Sequence, residues 1–321
     1  MNSMTSSEKV YQITLPTPFP VGDVNVYLVK GEKLTLVDTG PKTEEAWFSF
    51  QKQLQEIGYK PADIEQIVLT HHHPDHVGLT DYFSDSVPVI GHEYNRPWLK
   101  RDPDFMERQR SFFESLLSQF GVDKRFLRFL SQLNDTLNYS CNRDLHTAIS
   151  EGDAIPGLDG WHVYETPGHA QSHIVLLQES DGLLLGGDTL LKKISANPLL
   201  ELPMEGNLRP KPQLQFNASF KKLLELPIST VFSGHGESID NAYELILHRM
   251  RKQKERAFLV RSFLDGQSLT AFQVCQQLFP AIYQKQLMLT MSETVGQLDY
   301  LEDIGEIKVN RSSEQHIYFV D

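Results

Sequence analysis

Along its first part the chain places apolar residues in short runs broken by turn residues, the pattern of strands at a sheet core. "VNVYLVKGEKLTLVDTG" reads as a hairpin with Gly31 in its turn, and "IEQIVLT" as a further buried strand. Between them "KTEEAWFSFQKQLQEIGY" has a helical period. Thr43 is its expected N-cap, Glu44 and Glu45 lie in the first turn where the helix dipole favours acids, and Gly58 marks the stop. From about Arg96 to Leu145 the pattern lengthens into "FMERQRSFFESLLSQF" and "DKRFLRFLSQL", which predicts an inserted helical hairpin. The Phe112 to Phe120 face of that insertion is expected to be buried against the main domain, with a substrate-contacting lid as the other reading. Strands resume with "WHVYETPG", "SHIVLLQES", "LLLGGD" and "STVFSGHG", the middle two joined by an Asp181-Gly182 turn.

After about Asn241 three helical stretches follow. They are "AYELILHRMRKQKERAFLVRSFL", then "TAFQVCQQLF" opened by a Thr270/Gln273 capping box, then "TMSETVGQLDYLEDIG" opened by a Thr290/Glu293 one and stopped at Gly305. "EIKVNRSSEQHIYFV" alternates on both sides of a polar turn, as a terminal hairpin does. Three helices and a hairpin make a winged-helix pattern. The expected class is therefore α+β, with a larger domain over residues 1–244, containing the insertion at about 96–145, and a winged-helix-like domain over 245–321.

Composition narrows the picture. The 321 residues are 40% hydrophobic, enough for a sizeable core. No basic leader with an apolar run and no stretch of about 18 apolar residues occurs, so neither a signal peptide nor a membrane span is expected and the cytoplasm is the expected compartment. Cys141 and Cys275 lie in no metal or disulfide spacing and read as buried thiols. With 42 acidic and 30 basic residues the net charge is −12, which disfavours polyanions at long range. The winged-helix pattern invites a nucleic-acid reading, yet the helix that would enter a groove carries Glu293, Asp299, Glu302 and Asp303. That domain is expected to cap the active-site domain or to support a homodimer.

"THHHPDH", Thr70 to His76, concentrates the chemistry. Histidines at i and i+2 on an extended segment project to one side, so His71 and His73 can meet one cation while His72 points away. Asp75 and His76 follow, and Pro74 is expected to forbid regular helix and hold the loop bent toward a second cation. Two cations about 3.5–4 Å apart need further ligands. His169 in "TPGHA", Asp188 in "GGDT" and His235 in "SGHG" each follow an apolar run and stand beside glycine, which permits close backbone approach.

These motifs, with "VDTG" ahead of them, resemble in content and order those of the metallo-beta-lactamase superfamily. The resemblance spans roughly residues 10 to 241. It implies an αβ/βα sandwich and two divalent ions, zinc in the first instance with iron or manganese as alternatives. It places His71, His73 and His169 on one ion, Asp75, His76 and His235 on the other, and Asp188 between them. Asp38 and His173 are implied as supporting residues behind the ligands. Aspartate rather than cysteine among the ligands, and the C-terminal pattern, resemble the glyoxalase II-like and beta-lactamase-like protein 2 group. The family often has glycine where Ser172 precedes His173, and the insertion lengthens the usual gap between His73 and His169.

The expected activity is hydrolysis of an ester, thioester or lactone of a small metabolite by a hydroxide held at the dinuclear site, with Asp75 or Asp188 taking its proton. A metal-dependent endoribonuclease or phosphodiesterase is the alternative enzyme, with RNA as partner. A non-catalytic metal-containing binding module or a diiron redox protein is the alternative of another class. His72, His92 and His162 read as packing residues, and Lys192 and Lys193 as solvated.

Overall fold

Alternation of side chains along Val10–Leu15 (β1), Val24–Lys30 (β2) and Leu34–Val37 (β3) sends two apolar sets to opposite faces of one sheet in the computed structural model, which describes residues 10–126 and 135–321. Ile13, Leu15, Val26, Leu28 and Leu36 meet Phe50 and Leu54 of helix α1 (Glu44–Ile57). Val10, Tyr27, Val29 and Val37 face the other way and meet a second sheet through Trp161, Val163, Ile174 and Leu176. Each aliphatic or aromatic side chain so buried contributes about 1.5–3 kcal/mol relative to exposure.

The first sheet runs β1-β2-β3-β4-β5-β6, with β4 (Gln66–Leu69), β5 (Val89–Gly91) and β6 (Thr147–Ala148) parallel to β3. In the second sheet the order is β11-β10-β9-β8-β7, from β7 (Ala154–Ile155), β8 (Leu158–Glu165), β9 (Ile174–Gln178), β10 (Leu183–Gly187) and β11 (Thr230–Ser233). Its outer face, through Val175, Leu177 and Leu184, packs on Phe216, Phe220 and Leu223 of a helix over Pro212–Leu224. The layers are thus helix, sheet, sheet, helix. The expected strands and α1 are present, α1 with its Thr43 hydroxyl accepting from Ala46 N and Gly58 in the left-handed conformation at φ 99°.

Short helices α2 (Pro74–Val77) and α3 (Arg96–Leu99) lead into α4 (Pro103–Gln119), the first helix of the insertion. Of the second expected insertion helix, "DKRFLRFLSQL", most lies outside the described residues; Lys124–Phe126 forms a 3-10 turn at its start. The apolar face of α4 is not buried against the sheets. Phe113, Leu116, Leu117 and Phe120 join a separate core with Ala257, Val260, Phe272, Met291 and Val295 from the C-terminal helices. With the helix over Pro212–Leu224 numbered α5, those helices are α6 (Ala242–Ser262), α7 (Ala271–Leu278) and α8 (Leu287–Asp303), followed by the hairpin β12 (Lys308–Asn310) and β13 (Ile317–Phe319).

The Thr270/Gln273 capping box opens α7 as expected, but Thr290 does not cap α8. That helix starts a turn earlier, at Leu287, and the Thr290 hydroxyl donates back to Gln286 O at 3.0 Å. Full burial of Leu287 outweighs the roughly 1 kcal/mol a cap supplies. Twelve of the seventeen residues of α8 are buried, and two of its acids are paired inward: Glu293 with Arg256 and Asp299 with Arg209, both at 2.6 Å. The helix that a winged-helix reading would place in a groove packs mostly inward, in keeping with the expectation that its acids disfavour nucleic acid. Among the described residues no helix is long and apolar enough to cross a membrane.

Candidate metal centre

Strand β3 ends at Val37 and β4 at Leu69, so parallel pairing delivers the following residues, Asp38 and Thr70, side by side at one edge of the sheet. Thr70 donates to the Asp38 carboxylate twice, from its backbone N at 2.8 Å and its hydroxyl at 2.7 Å. Asp38 itself sits at φ 59°, a left-handed conformation that aspartate tolerates better than most residues. Pro74, expected to forbid helix, instead opens α2 at its first position, where proline lacks only an amide that would be unpaired anyway. This single turn of helix carries Asp75 and His76 into the site.

The structure brings all seven expected ligands together. Donor atoms of His71, His73 and His169 lie within 4.8 Å of one another, as do those of Asp75, His76 and His235, and those of His71, His76 and Asp188. Asp188 Oδ1 lies 3.4 Å from His76 Nε2, and its Oδ2 lies 3.5 Å from both His169 Nε2 and His235 Nε2. Asp75 Oδ2 is 3.3 Å from His235 Nε2.

Each ring is turned by what holds its other nitrogen. His76 Nδ1 donates to Asp38 at 2.8 Å, His169 Nδ1 to Asn197 O at 2.9 Å, and His235 Nδ1 to Asp23 O at 2.7 Å. His71 Nδ1 meets the Thr70 hydroxyl at 3.0 Å, itself bonded to Asp38. The inward atoms His76 Nε2, His169 Nε2, His235 Nε2 and Asp188 Oδ1 are buried and have no hydrogen-bond partner. His71 Nε2 and His73 Nδ1 point at each other across 3.0 Å. Buried polar atoms left unpaired are costly, and anchored imidazoles with free inward nitrogens are how proteins prepare metal ligands. The donor set fits divalent cations such as zinc, iron or manganese.

The sequence model of the family described as the metallo-beta-lactamase superfamily matches residues 19–235. This chain belongs to that superfamily. It is similar to the "Probable metallo-hydrolase YqjP" of Bacillus subtilis, 50% identical over 92% of this chain and 93% of that one. A "Beta-lactamase-like protein 2 homolog" of Caenorhabditis elegans is 24% identical over 82% of this chain and 73% of its own length. Among solved structures, the metallo-beta-lactamase family protein TTHA1429 of Thermus thermophilus superposes over 98% of this chain and 99% of that one, with TM-score 0.82 and 28% identity.

Charge in this superfamily site is divided between its two sides. Burial holds the imidazoles of His71 and His73 well below the ordinary histidine range. It opposes the charge on His76 and His235 too, but the carboxylates outweigh it: Asp188, Asp38 and Asp75 raise His76, and Asp188 and Asp75 raise His235 to about 10. Burial likewise opposes ionisation of Asp188, and His235 and His76 override it and hold the carboxyl well below its usual range. Asp188 therefore stays ionised, as cation binding needs.

His173 does not face the cluster with a free nitrogen. Its Nε2 accepts from Asp188 N at 3.0 Å and its Nδ1 lies 3.0 Å from the Thr166 hydroxyl, so it fixes the backbone that carries Asp188. Ser172, where the family often has glycine, binds His72 Nδ1 at 2.9 Å and turns that ring out of the cluster onto Trp98, with ring centroids 4.3 Å apart. His92 pairs with Glu165 at 3.4 Å, away from the cluster, and Lys192 and Lys193 pair with Glu237 at 3.0 and 2.8 Å. Sequence reasoning missed Glu201, a buried carboxylate that accepts from Gln171 N at 3.1 Å and stands within 4.8 Å of His72 and His73. The signal was a lone acid inside the apolar run "NPLLELPM".

Proposed function

We propose that the chain is a two-metal hydrolase that cleaves an ester, thioester or lactone of a small, largely uncharged metabolite. The observation that carries this reading is the set of buried, unpartnered Nε2 and carboxylate atoms that converge while their rings are anchored from behind. His71, His73 and His169 would hold one cation, Asp75, His76 and His235 the other, with Asp188 between. When bound, such a pair polarises the scissile carbonyl and acidifies water toward neutral pH.

The protein's own side chains do the rest. Asp38 keeps the His76 proton on Nδ1, so that Nε2 stays available. Asp75 and Asp188, both buried beside the cluster, would accept the proton of the attacking water. Trp98, Phe113 and Leu200 line the cavity that opens beside His73 and Asp75 and keep bulk water from that side. No lysine or arginine is among the described residues lining this cavity, which favours an uncharged acyl substrate over a phosphodiester or RNA.

Metal-loaded protein assayed against thioesters, lactones, esters, phosphodiesters and single-stranded RNA tests this. The expected result is turnover of a carbonyl substrate that disappears in Asp188→Ala. Turnover confined to phosphodiesters or RNA, or turnover of carbonyl substrates that Asp188→Ala retains, contradicts it.

A further inference from the structure

The cavity of about 250 Å³ beside His73 and Asp75 has walls from three parts of the chain that no ligand motif includes. Trp98 and Phe113 come from the insertion, Leu200 from the loop after Asp188, and Met288 and Leu289 from the start of α8. The loop is held at two points. Leu200 N donates to the Ser292 hydroxyl of α8 at 3.2 Å, and Asn197 O accepts from His169 Nδ1 at 2.9 Å. Directly after Leu200, Glu201 accepts from Gln171 N at 3.1 Å, which holds this lining carboxylate on the side of the cavity near His72 and His73. The C-terminal helix is thus tied to the candidate metal centre through the wall of one apolar cavity.

We propose that this cavity is the subsite for a linear, apolar acyl or alkyl portion of the substrate, and that α4 and α8 set the length it accepts. The proposal rests on the hydrolase reading for its orientation, because the cavity opens on His73 and Asp75 and so places a carbonyl at its inner end. Its chemistry is independent of that reading: apolar walls, no lysine or arginine in the described lining, and a rigid aromatic floor where Trp98 lies flat on His72 at an interplanar angle of 7°. Pockets of this kind bind by removing apolar surface from water, with few polar groups fixing orientation. Each added methylene should tighten binding until the chain reaches α8.

The test measures binding of 1-butanol, 1-hexanol, 1-octanol and 1-decanol to the full chain in EDTA by calorimetry, beside Leu289→Asp and Gln109→Asp. Leu289 is 41% exposed, so a charge there reaches the cavity without entering the core, and Gln109 tests the opposite wall on α4. Saturable binding of one equivalent is expected, tightening from butanol to octanol and weakened at least tenfold for octanol in either variant at unchanged melting temperature. Binding that is absent, independent of chain length, or unaffected in both variants overturns the proposal. Hydrolysis of p-nitrophenyl esters from acetate to decanoate separates the two readings. Alcohol binding as expected with no ester, thioester or lactone cleaved leaves the subsite standing and removes the hydrolase; cleavage without chain-length dependence and without alcohol binding does the reverse.

Discussion

The Asp38 carboxylate accepts the Nδ1 proton of His76 at 2.8 Å while the same carboxylate receives both the amide and the hydroxyl of Thr70. One side chain therefore joins the ends of two parallel strands to a ring of the candidate metal centre. Asp38→Ala should lower metal affinity roughly 10- to 100-fold, the usual cost of losing a partner behind a ligating histidine. Asp38→Asn, whose single amide oxygen cannot accept from both Thr70 N and His76 Nδ1, should recover little of it. Isothermal titration of chelator-treated protein with zinc reads both, and equal affinities in wild type and Asp38→Ala would contradict the role.

Close backbone approach is required at Gly234, where a Cβ would stand 2.3 Å from Asp188 Oδ1 and 2.9 Å from His76 Cε1. Gly234→Ala must displace the carboxylate or the ring, because the facing Gly187 O is itself only 3.0 Å from that point. Bound metal should fall to one equivalent per chain or less, measured by elemental mass spectrometry after dialysis. Two equivalents retained in Gly234→Ala would mean that the site has slack the structure does not show.

Burial pushes the Glu201 carboxyl up to about 8, partly offset by the Gln171 amide. The folded chain therefore binds this proton more tightly than the unfolded chain, in which glutamate titrates near pH ~4.3. Its contribution is fully present below that value and is lost as pH rises toward 8. Metal-free protein should lose on the order of a few kcal/mol between pH 5 and pH 9 through this group, while Glu201→Gln should show a flatter profile. Urea unfolding at both pH values decides it; parallel profiles for the two proteins would show that Glu201 is not protonated in the fold.

Much of this was legible in the chain. Short apolar runs that stop at Asp38, Thr70, Asp188 and Ser233 predict strands whose ends deliver the cluster, and parallel pairing of β3 with β4 makes that delivery physical. The expected His71, His72, His73 alternation has its counterpart in the geometry, where His71 and His73 converge and His72 turns onto Trp98. Local pattern fails where tertiary burial decides. It places a helix start at Thr290 that Leu287 moves, and it aims the Phe113 face at the sheets although its partners lie far along the sequence in α6 to α8. The helix over Pro212–Leu224 carries Phe216, Phe220 and Leu223 at helical spacing and is absent from the predicted elements, its amphipathic signal being weaker than that of α1 and its start uncapped by a side chain. Residues that act only by accepting one hydrogen bond at a backbone carbonyl, such as Asp23 and Asn197, carry no sequence signal of their own.

Trp98 stacks on His72 and so links the cavity floor to the loop between two candidate ligands. Trp98→Ala should raise KM for long acyl substrates more than tenfold while kcat for short ones changes less than threefold, since the ring touches the cavity but no cluster nitrogen. Steady-state kinetics on an acyl-chain series checks this, and an equal loss of kcat on all chain lengths would place Trp98 in support of the metal centre instead.

The most direct test of the central claim is the rate of ester or thioester hydrolysis as zinc is added back to chelator-stripped protein, beside Asp188→Ala. The account predicts a rate that is negligible without metal, rises to a plateau at two equivalents per chain, and stays near the buffer rate in the variant at any zinc level. A rate independent of added metal, or a variant that reaches the wild-type plateau, would contradict it.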